Sequence, residues 1–363
     1  MRVSDVARAL DALFPSWWAE PWDRVGLLIG DPDAAVSSAY VALDATVGTV
    51  REAADNGCEL LVTHHPPFLG ELTAVVAADP AGRIVVDSCR LGVAVISLHT
   101  NLDRSPQGWQ ALPQACGFDS ARPLERTPEE ADLVTVYAPE RAEQAVVEAM
   151  AQAGAGRIGQ YERCYFAATG IGGFAPLPGA SPVEGGGDPA AVPEVRIEMV
   201  APPGRGHAVA HAAREAHPYE EPLITVTRIL RRRTQAAFGA VAETTPTTLE
   251  DLAAAVSARL GAPVRAWGEP HARIERVAFA NGSGGALIAD AVAAGAHALV
   301  TGEVRYHDAQ RALDAGLAVV EAGHDATELP LVSVIASALR DVLREEQVVV
   351  RPGRTTGWWV TRT

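Results

Sequence analysis

Two stretches of the chain repeat one another, and this restricts the fold more than any other feature. In the first, the strand-like runs "SAYVALDAT", "CELLVTHH" and "GVAVISLHTNLD" accompany a helical stretch, "VGTVREAADNG". In the second, "IERVAFANGSGG", "HALVTGEVRYH" and "GLAVVEAGHDATE" accompany the helical "ALIADAVAAGA". Laid on each other, Gly57, Leu61, Val62 and Thr63 match Gly295, Leu299, Val300 and Thr301, and Gly92 with Val95 matches Gly316 with Val319. Apolar runs alternating with helices build an α/β layer with a mostly parallel sheet. The expectation is two similar α/β half-domains, residues 1–123 and 238–363, forming one domain.

Residues 124–237 have a different texture. Strand "DLVTVYAP", helix "ERAEQAVVEAMAQAG", strand "YERCYFAATGI", strand "EVRIEMVA", helix "GRGHAVAHAAREAH" and strand "PLITVTRIL" follow in turn. The order β-α-β-β-α-β is that of a ferredoxin-like α+β unit, expected here as an inserted domain. The Gly- and Pro-rich run "GGFAPLPGASPVEGGGDPAAVP" reads as a long loop.

The chain's 363 residues exceed the usual length of one domain. A formal net charge of -15 argues against nucleic acid and anionic membranes as partners, since the protein's field repels phosphates. A bound cation can reverse that field locally. Cys58, Cys89, Cys116 and Cys164 lie far apart with no C-x-x-C spacing, which excludes a zinc ribbon, a redox pair and a disulfide framework. Reduced thiols and a cytoplasmic location are expected. "MRVSDVARALDALFPSWWAEPWD" has helical spacing without a long apolar core, the pattern of a folded helix and of neither signal peptide nor anchor.

Ligands of open α/β sheets sit beyond the carboxyl ends of the strands. His64 and His65, then His99, Asn101 and Asp103, then Glu303 and His307, and finally His324 and Glu328 collect at those ends. In "LLVTHHPPFLG" the two histidines cannot serve one point from a continuing strand, because neighbouring side chains point to opposite faces. Pro66 and Pro67 lack the N–H that a ladder needs. The strand is therefore expected to span Leu60–Thr63 and to release both imidazoles at its end.

Histidine with carboxylate oxygen is the donor set of zinc, iron, manganese or nickel. His324 and Glu328 are four apart, on one face of a helix. Two adjacent histidines with different directions suit two divalent ions, each taking one imidazole. Glu328 then bridges, and His324 and Asp103 are terminal ligands. Ions about 3.5–4 Å apart activate a water between them. His99, His307 and Glu303 are candidates for catalytic roles: either histidine relays protons or holds a ligand by a hydrogen bond. "NGSGG", residues 281–285, reads as a tight helix entry. Arginines 231–233 read as a solvated strand end, and Trp17, Trp18, Trp22, Trp358 and Trp359 as packing or oligomer contacts.

"WDRVGLLIGDP", "LVTHHPPF", "SLHTNLD", "TGEVRYHDAQ" and "GHDATE" together resemble the Ngg-one-interacting-factor-three family, catalogued as the GTP cyclohydrolase I type 2 family. The resemblance covers both outer parts of the chain in order. It implies that His64, His65, Asp103, His324 and Glu328 are the ligands of a dinuclear metal site. It also implies that the insert, closed by "HPYEEPLITV", is a PII- or CutA-like domain, and that the chain forms a homohexamer. Arg24 and Glu303 depart from the family's usual Asn and Asp at those places. The implied activity is hydrolytic opening of the guanine imidazole ring of GTP by metal-activated water, with other nucleotide-derived substrates as an alternative. The competing reading is a non-catalytic metal-binding scaffold whose insert senses a ligand.

Overall fold

A computed structural model describes residues 1–125, 128–159, 161–183, 190–231, 236–343 and 347–351. Two compact units are present: Met1–Arg126 with Gln235–Thr363, and Thr127–Thr234. The chain opens with α1 (Val3–Leu13), β1 (Gly26–Ile29), β2 (Ala39–Asp44), α2 (Val47–Asp55) and β3 (Leu60–His65). It continues through α3 (Pro80–Leu91), β4 (Ala94–Ser97), α4 (Thr100–Asp103), α5 (Pro106–Ala115) and β5 (Ala121–Pro123). The second unit holds β6 (Glu129–Pro139), α6 (Glu143–Gln152), β7 (Phe166–Phe174), β8 (Ala190–Ala201), α7 (Gly206–Ala216) and β9 (Ile224–Arg231). The chain then returns to the first unit with β10 (Ala240–Thr248), α8 (Leu249–Leu260), β11 (Arg265–Trp267) and β12 (Arg273–Ser283). It ends in α9 (Ile288–Ala293), β13 (Ala298–Glu303), α10 (Tyr306–Asp314), β14 (Ala318–Glu321), α11 (His324–Val342) and β15 (Val348–Val350).

The first unit contains two sheets, β1-β4-β3-β2-β15 and β11-β14-β13-β12-β10-β5. Each has three adjacent parallel strands, β2-β3-β4 and β12-β13-β14, with an antiparallel strand at the edge, β1 on β4 and β11 on β14. Sheet membership crosses the sequence halves. β15 adds to β2, and β5 adds to β10.

The helices cross over as well. Leu331, Ile335 and Leu339 of α11 bury against Val41, Leu60, Val62 and Ile96 of the first sheet. Trp109 and Leu112 of α5 bury against Val277, Phe279, Val300 and Val320 of the second. At roughly 1.5–3 kcal/mol for each fully buried large aliphatic side chain, each sheet takes several kcal/mol from a helix encoded with the other. This exchange fixes how the carboxyl ends of the two sheets meet.

Two boundaries differ from expectation. Strand β3 runs to His65 rather than stopping at Thr63, because Asp44 continues the parallel ladder as the register partner of His65. The two ends of the run that reads as a long loop are strand: residues 172–174 belong to β7 and 190–193 to β8, which pair from Phe166↔Glu198 to Phe174↔Ala190. Glycines and a proline hide that ladder from sequence reading, since both are poor strand formers. In the second unit all neighbours in the order β7-β8-β6-β9 are antiparallel, and α6 and α7 contribute Val146, Met150, Val209 and Ala213 to its core.

Trp17 and Trp18 lie half-buried in a single 3-10 turn, whereas Trp22 is 56% exposed. Trp358, Trp359, Arg232 and Arg233 lie outside the described residues. Among the described residues no helix is long and apolar enough to cross a membrane.

Candidate metal centre

The last residues of β3, the turn after β4 and the first turns of α11 converge. Three glycines let them do so. Gly323 takes φ +91 before the first residue of α11, and Gly282 takes φ +55, values that favour glycine. A Cβ on Gly302 would stand 2.5 Å from the Gly282 carbonyl oxygen and 2.7 Å from His324 Cα, so only glycine lets β13 pass this closely.

Four histidines face one another. Ring centroids are 5.0 Å apart for His64–His65, 5.1 Å for His64–His99, 5.7 Å for His65–His99 and 5.5 Å for His65–His324. Each is held from behind through Nδ1. His64 donates to the Leu98 carbonyl at 2.8 Å and His65 to Asp44 at 2.6 Å. His99 donates to Asp23 at 2.8 Å, and His324 to Glu303 at 2.8 Å. Carbonyl and carboxylate oxygens only accept, so Nδ1 carries the hydrogen and Nε2 is the atom left for the centre.

Strand continuity through His65 therefore does not separate the pair. The two imidazoles reach different oxygens of one carboxylate: His64 Nε2 lies 3.7 Å from Glu328 Oε1, and His65 Nε2 lies 2.9 Å from Oε2. His324 Nε2 lies 3.2 Å from Oε1. Asp103 Oδ2 stands 3.6 Å from His64 Nε2, while its Oδ1 accepts from Asn281 Nδ2 at 3.0 Å.

Electrostatics in the protein without ions are dominated by these contacts. Burial opposes charge on His65, but Asp44 and Glu328 outweigh it and raise its pKa to about 9. Hydrogen bonds to Glu303 and Glu328 lift His324 to about 10 against its partial burial. Burial also works against a charged His64, yet Asp103 and Glu328 hold its pKa above the ordinary value. Burial would raise Glu328, but the three histidines hold it well below the carboxylate range. Asp103 is pushed up by burial and by Glu328, with His64 opposing. Asp23 resists burial through His99 and Thr100 and falls to about 2.

The donor set fits small divalent cations. His64 Nε2 is buried without a hydrogen-bond partner, and Glu328 Oε2 approaches His65 without hydrogen-bond alignment. A buried polar atom left open is costly unless something binds it. His64, His65 and His99 each offer a ring nitrogen within 4.8 Å of one another, and His65, His324 and Glu328 form a second such group. Glycine at 282 leaves room for them, since a Cβ there would come within 2.3 Å of Glu328 Oε1.

Of the residues singled out in the sequence, His64, His65, Asp103, His324 and Glu328 come together, with His99 beside them. Glu303 lies behind His324 as its hydrogen-bond partner. His307 is not gathered in: the start of α10 turns it outward, exposed, with Nδ1 on Gln310 at 3.0 Å. Sequence reading missed the supports Asp44, Asp23 and Asn281, of which Asp44 ends "YVALD" at the same carboxyl edge as the histidines.

The family model Duf34/NIF3 (NGG1p interacting factor 3) matches residues 1–354. A Mycobacterium tuberculosis protein named GTP cyclohydrolase 1 type 2 homolog is 36% identical over 349 residues, spanning 94% of this chain and 92% of that one. A Bacillus subtilis protein of the same name is 32% identical over 329 residues, spanning 89% and 88%. The crystal structure of a Bacillus cereus protein related to NIF3 superposes with a TM-score of 0.74 at 28% identity, covering 99% of both chains.

Proposed function

Because this chain belongs to the Duf34/NIF3 family, we propose that it is a dinuclear-metal-dependent hydrolase acting on a nucleotide-derived substrate. The observation that carries this reading is the set of four histidines fixed through Nδ1, of which His64, His65 and His324 bring Nε2 within 3.7 Å of a buried carboxylate and His99 stands beside them. His64, His65, Asp103, His324 and Glu328 would hold two divalent ions, from among zinc, iron, manganese and nickel, with Glu328 between them. Bound there, such ions supply Lewis acidity and a water acidic enough to attack near neutral pH.

The chain's own groups do the rest. Asp44, Glu303 and the Leu98 carbonyl orient three ligand rings. Asp23 takes the Nδ1 hydrogen of His99 and the N–H and hydroxyl of Thr100, fixing His99 with Nε2 toward the centre. His99 is thereby suited to hold or pass a proton at Nε2, a role for which the geometry supports it over His307. The names of the relatives favour GTP as the first substrate to try. We further propose a cytoplasmic homohexamer.

Turnover of a nucleotide panel, GTP included, by protein of measured metal content tests the reading, with His64→Ala as control. Release of product that depends on both metal and His64 is expected. A fully metallated protein that turns over nothing in the panel would favour a metal-binding scaffold instead.

A further inference from the structure

We propose that the Thr127–Thr234 unit carries a binding site of its own, for a small monocation with a flat apolar body, such as an aromatic amine. The site is a cavity of about 610 Å³ walled by Tyr137, Ile171, Phe174, Leu177 and Leu223, with the Glu194 carboxylate among them. That volume lies within the usual range of small-molecule sites. The inference stands apart from the metal centre and from the hydrolase reading.

The topology explains why the cavity exists. β6 pairs with β8 only as far as Pro139↔Glu194, while the β8 pairing with β7 continues to Phe174↔Ala190. The last residues of β7 and the first of β8 are thus a two-stranded ribbon beyond the sheet. Such a ribbon has little stability unless its face is covered. Segments 175–183 and 219–223 flank it without filling the space. Ile171 and Leu177 remain 80% and 79% exposed and Leu223 60%, an apolar concentration of the kind that marks a binding surface.

Charge selects the ligand. Glu220 accepts the Ser181 N–H at 3.1 Å, and Glu221 pairs with Arg214 at 3.0 Å. The Glu194 side chain makes no hydrogen bond or ion pair among the described residues, and its charge acts only at longer range on His217. Its carboxylate lies over Gly172, where any Cβ would come within 2.1 Å of an oxygen. His217 brings no compensating charge: burial lowers its pKa, and its ring nitrogens bond the Tyr137 carbonyl and the Tyr219 N–H. An ammonium is the complement of that lone carboxylate, and an aromatic body that of the apolar walls.

Calorimetric titration of the full chain with three indoles tests this: tryptamine (cation), tryptophol (neutral) and indole-3-acetate (anion). Tryptamine should bind about tenfold or more tightly than tryptophol, the worth of one charge-assisted hydrogen bond, and indole-3-acetate should not bind. Glu194→Gln, a near-isosteric change checked for native circular dichroism, should bring tryptamine down to the tryptophol level and leave tryptophol unchanged. Equal binding of all three, unaltered tryptamine affinity in the variant, or no binding by wild type would each overturn the proposal. If wild type binds nothing and light scattering shows an oligomer that Leu223→Asp disrupts, the face is a contact between copies of this chain.

Discussion

The Nε2 atom of His64 stands 3.6 Å from Asp103 Oδ2, too far for a hydrogen bond, although the imidazole is completely buried. Zinc–nitrogen and zinc–oxygen bonds are each about 2.0–2.2 Å, so two donors at this separation can share one small cation. The same holds for His64 and Glu328 Oε1 at 3.7 Å. The protein thus keeps open a gap that packing would otherwise close.

Metal content should reflect the bridge. Glu328→Gln is expected to lose both ions, because in the proposed centre each would depend on that carboxylate, whereas His324→Ala should lose mainly one. Elemental analysis after reconstitution and gel filtration measures this directly. Two ions retained by Glu328→Gln would show that the bridge is misassigned.

The cradle at Gly282 gives a change that replaces no candidate ligand. In Gly282→Ala the new methyl would collide with Glu328 Oε1 and crowd the His324 ring, at a residue with φ +55. Metal affinity should fall by at least tenfold. Competition with a chromogenic chelator reads the loss, and wild-type affinity would mean that the strand shifts at no cost to the ligands.

Residues behind the ligands should matter in proportion to the ring they hold. Glu303→Ala and Asp44→Ala each remove the acceptor of a ligand's Nδ1–H and should weaken metal binding about 10–100-fold. His307→Ala should leave metal content unchanged, since His307 bonds Gln310 at the surface. The chelator competition separates the two groups, and equal losses would contradict the geometry.

Legibility in the sequence followed the range of the forces involved. The parallel strands were readable because burial on both faces leaves unbroken apolar runs such as "CELLV", and the gathering of the five candidate ligands because His64, His65 and Asp103 end or follow such runs while His324 and Glu328 lie in the first turns of α11. The end of β3 was misjudged, although His64 and His65 converge as expected. A rule about side-chain direction in strands ignores the reach of an imidazole, which bridges the offset between neighbouring Cβ atoms. Asp23 and Asn281 carry no local signal and Asp44 only its place at the end of β2; they matter through partners 76, 178 and 21 residues away. The exchange of α5, α11, β5 and β15 between the sheets is likewise set by tertiary packing that no local pattern encodes.

Glu321 supplies a pH-dependent test of the second sheet. Burial alone would raise its pKa, but Arg265, the Val304 N–H and the Trp267 indole outweigh it and set the pKa below the ordinary value. The resulting stability is fully present above the unfolded glutamate pKa of about 4.3 and is lost as pH falls through the lower folded value. Glu321→Gln should therefore cost about 1–3 kcal/mol at neutral pH and progressively less in acid. Urea unfolding at pH 7 and pH 3.5 checks this, and a pH-independent difference would assign the cost to packing instead.

The connections to the second unit make its removal a clean experiment. Glu125 N–H donates to the Phe238 carbonyl at 3.0 Å, and Leu124 N–H to that of Gly239 at 3.1 Å. The strands that leave and re-enter the first unit therefore lie side by side, and a few Gly and Ser residues can replace 127–234 without strain. The second unit has its own core, built from Val134, Val146, Met150, Ile197 and Val209, while all eight candidate site residues lie in the first. Deletion should leave two ions per chain and should abolish tryptamine binding. Loss of metal from a folded, soluble deletion variant would mean that the first unit does not form its centre alone. Retained tryptamine binding would place the amine site outside the second unit.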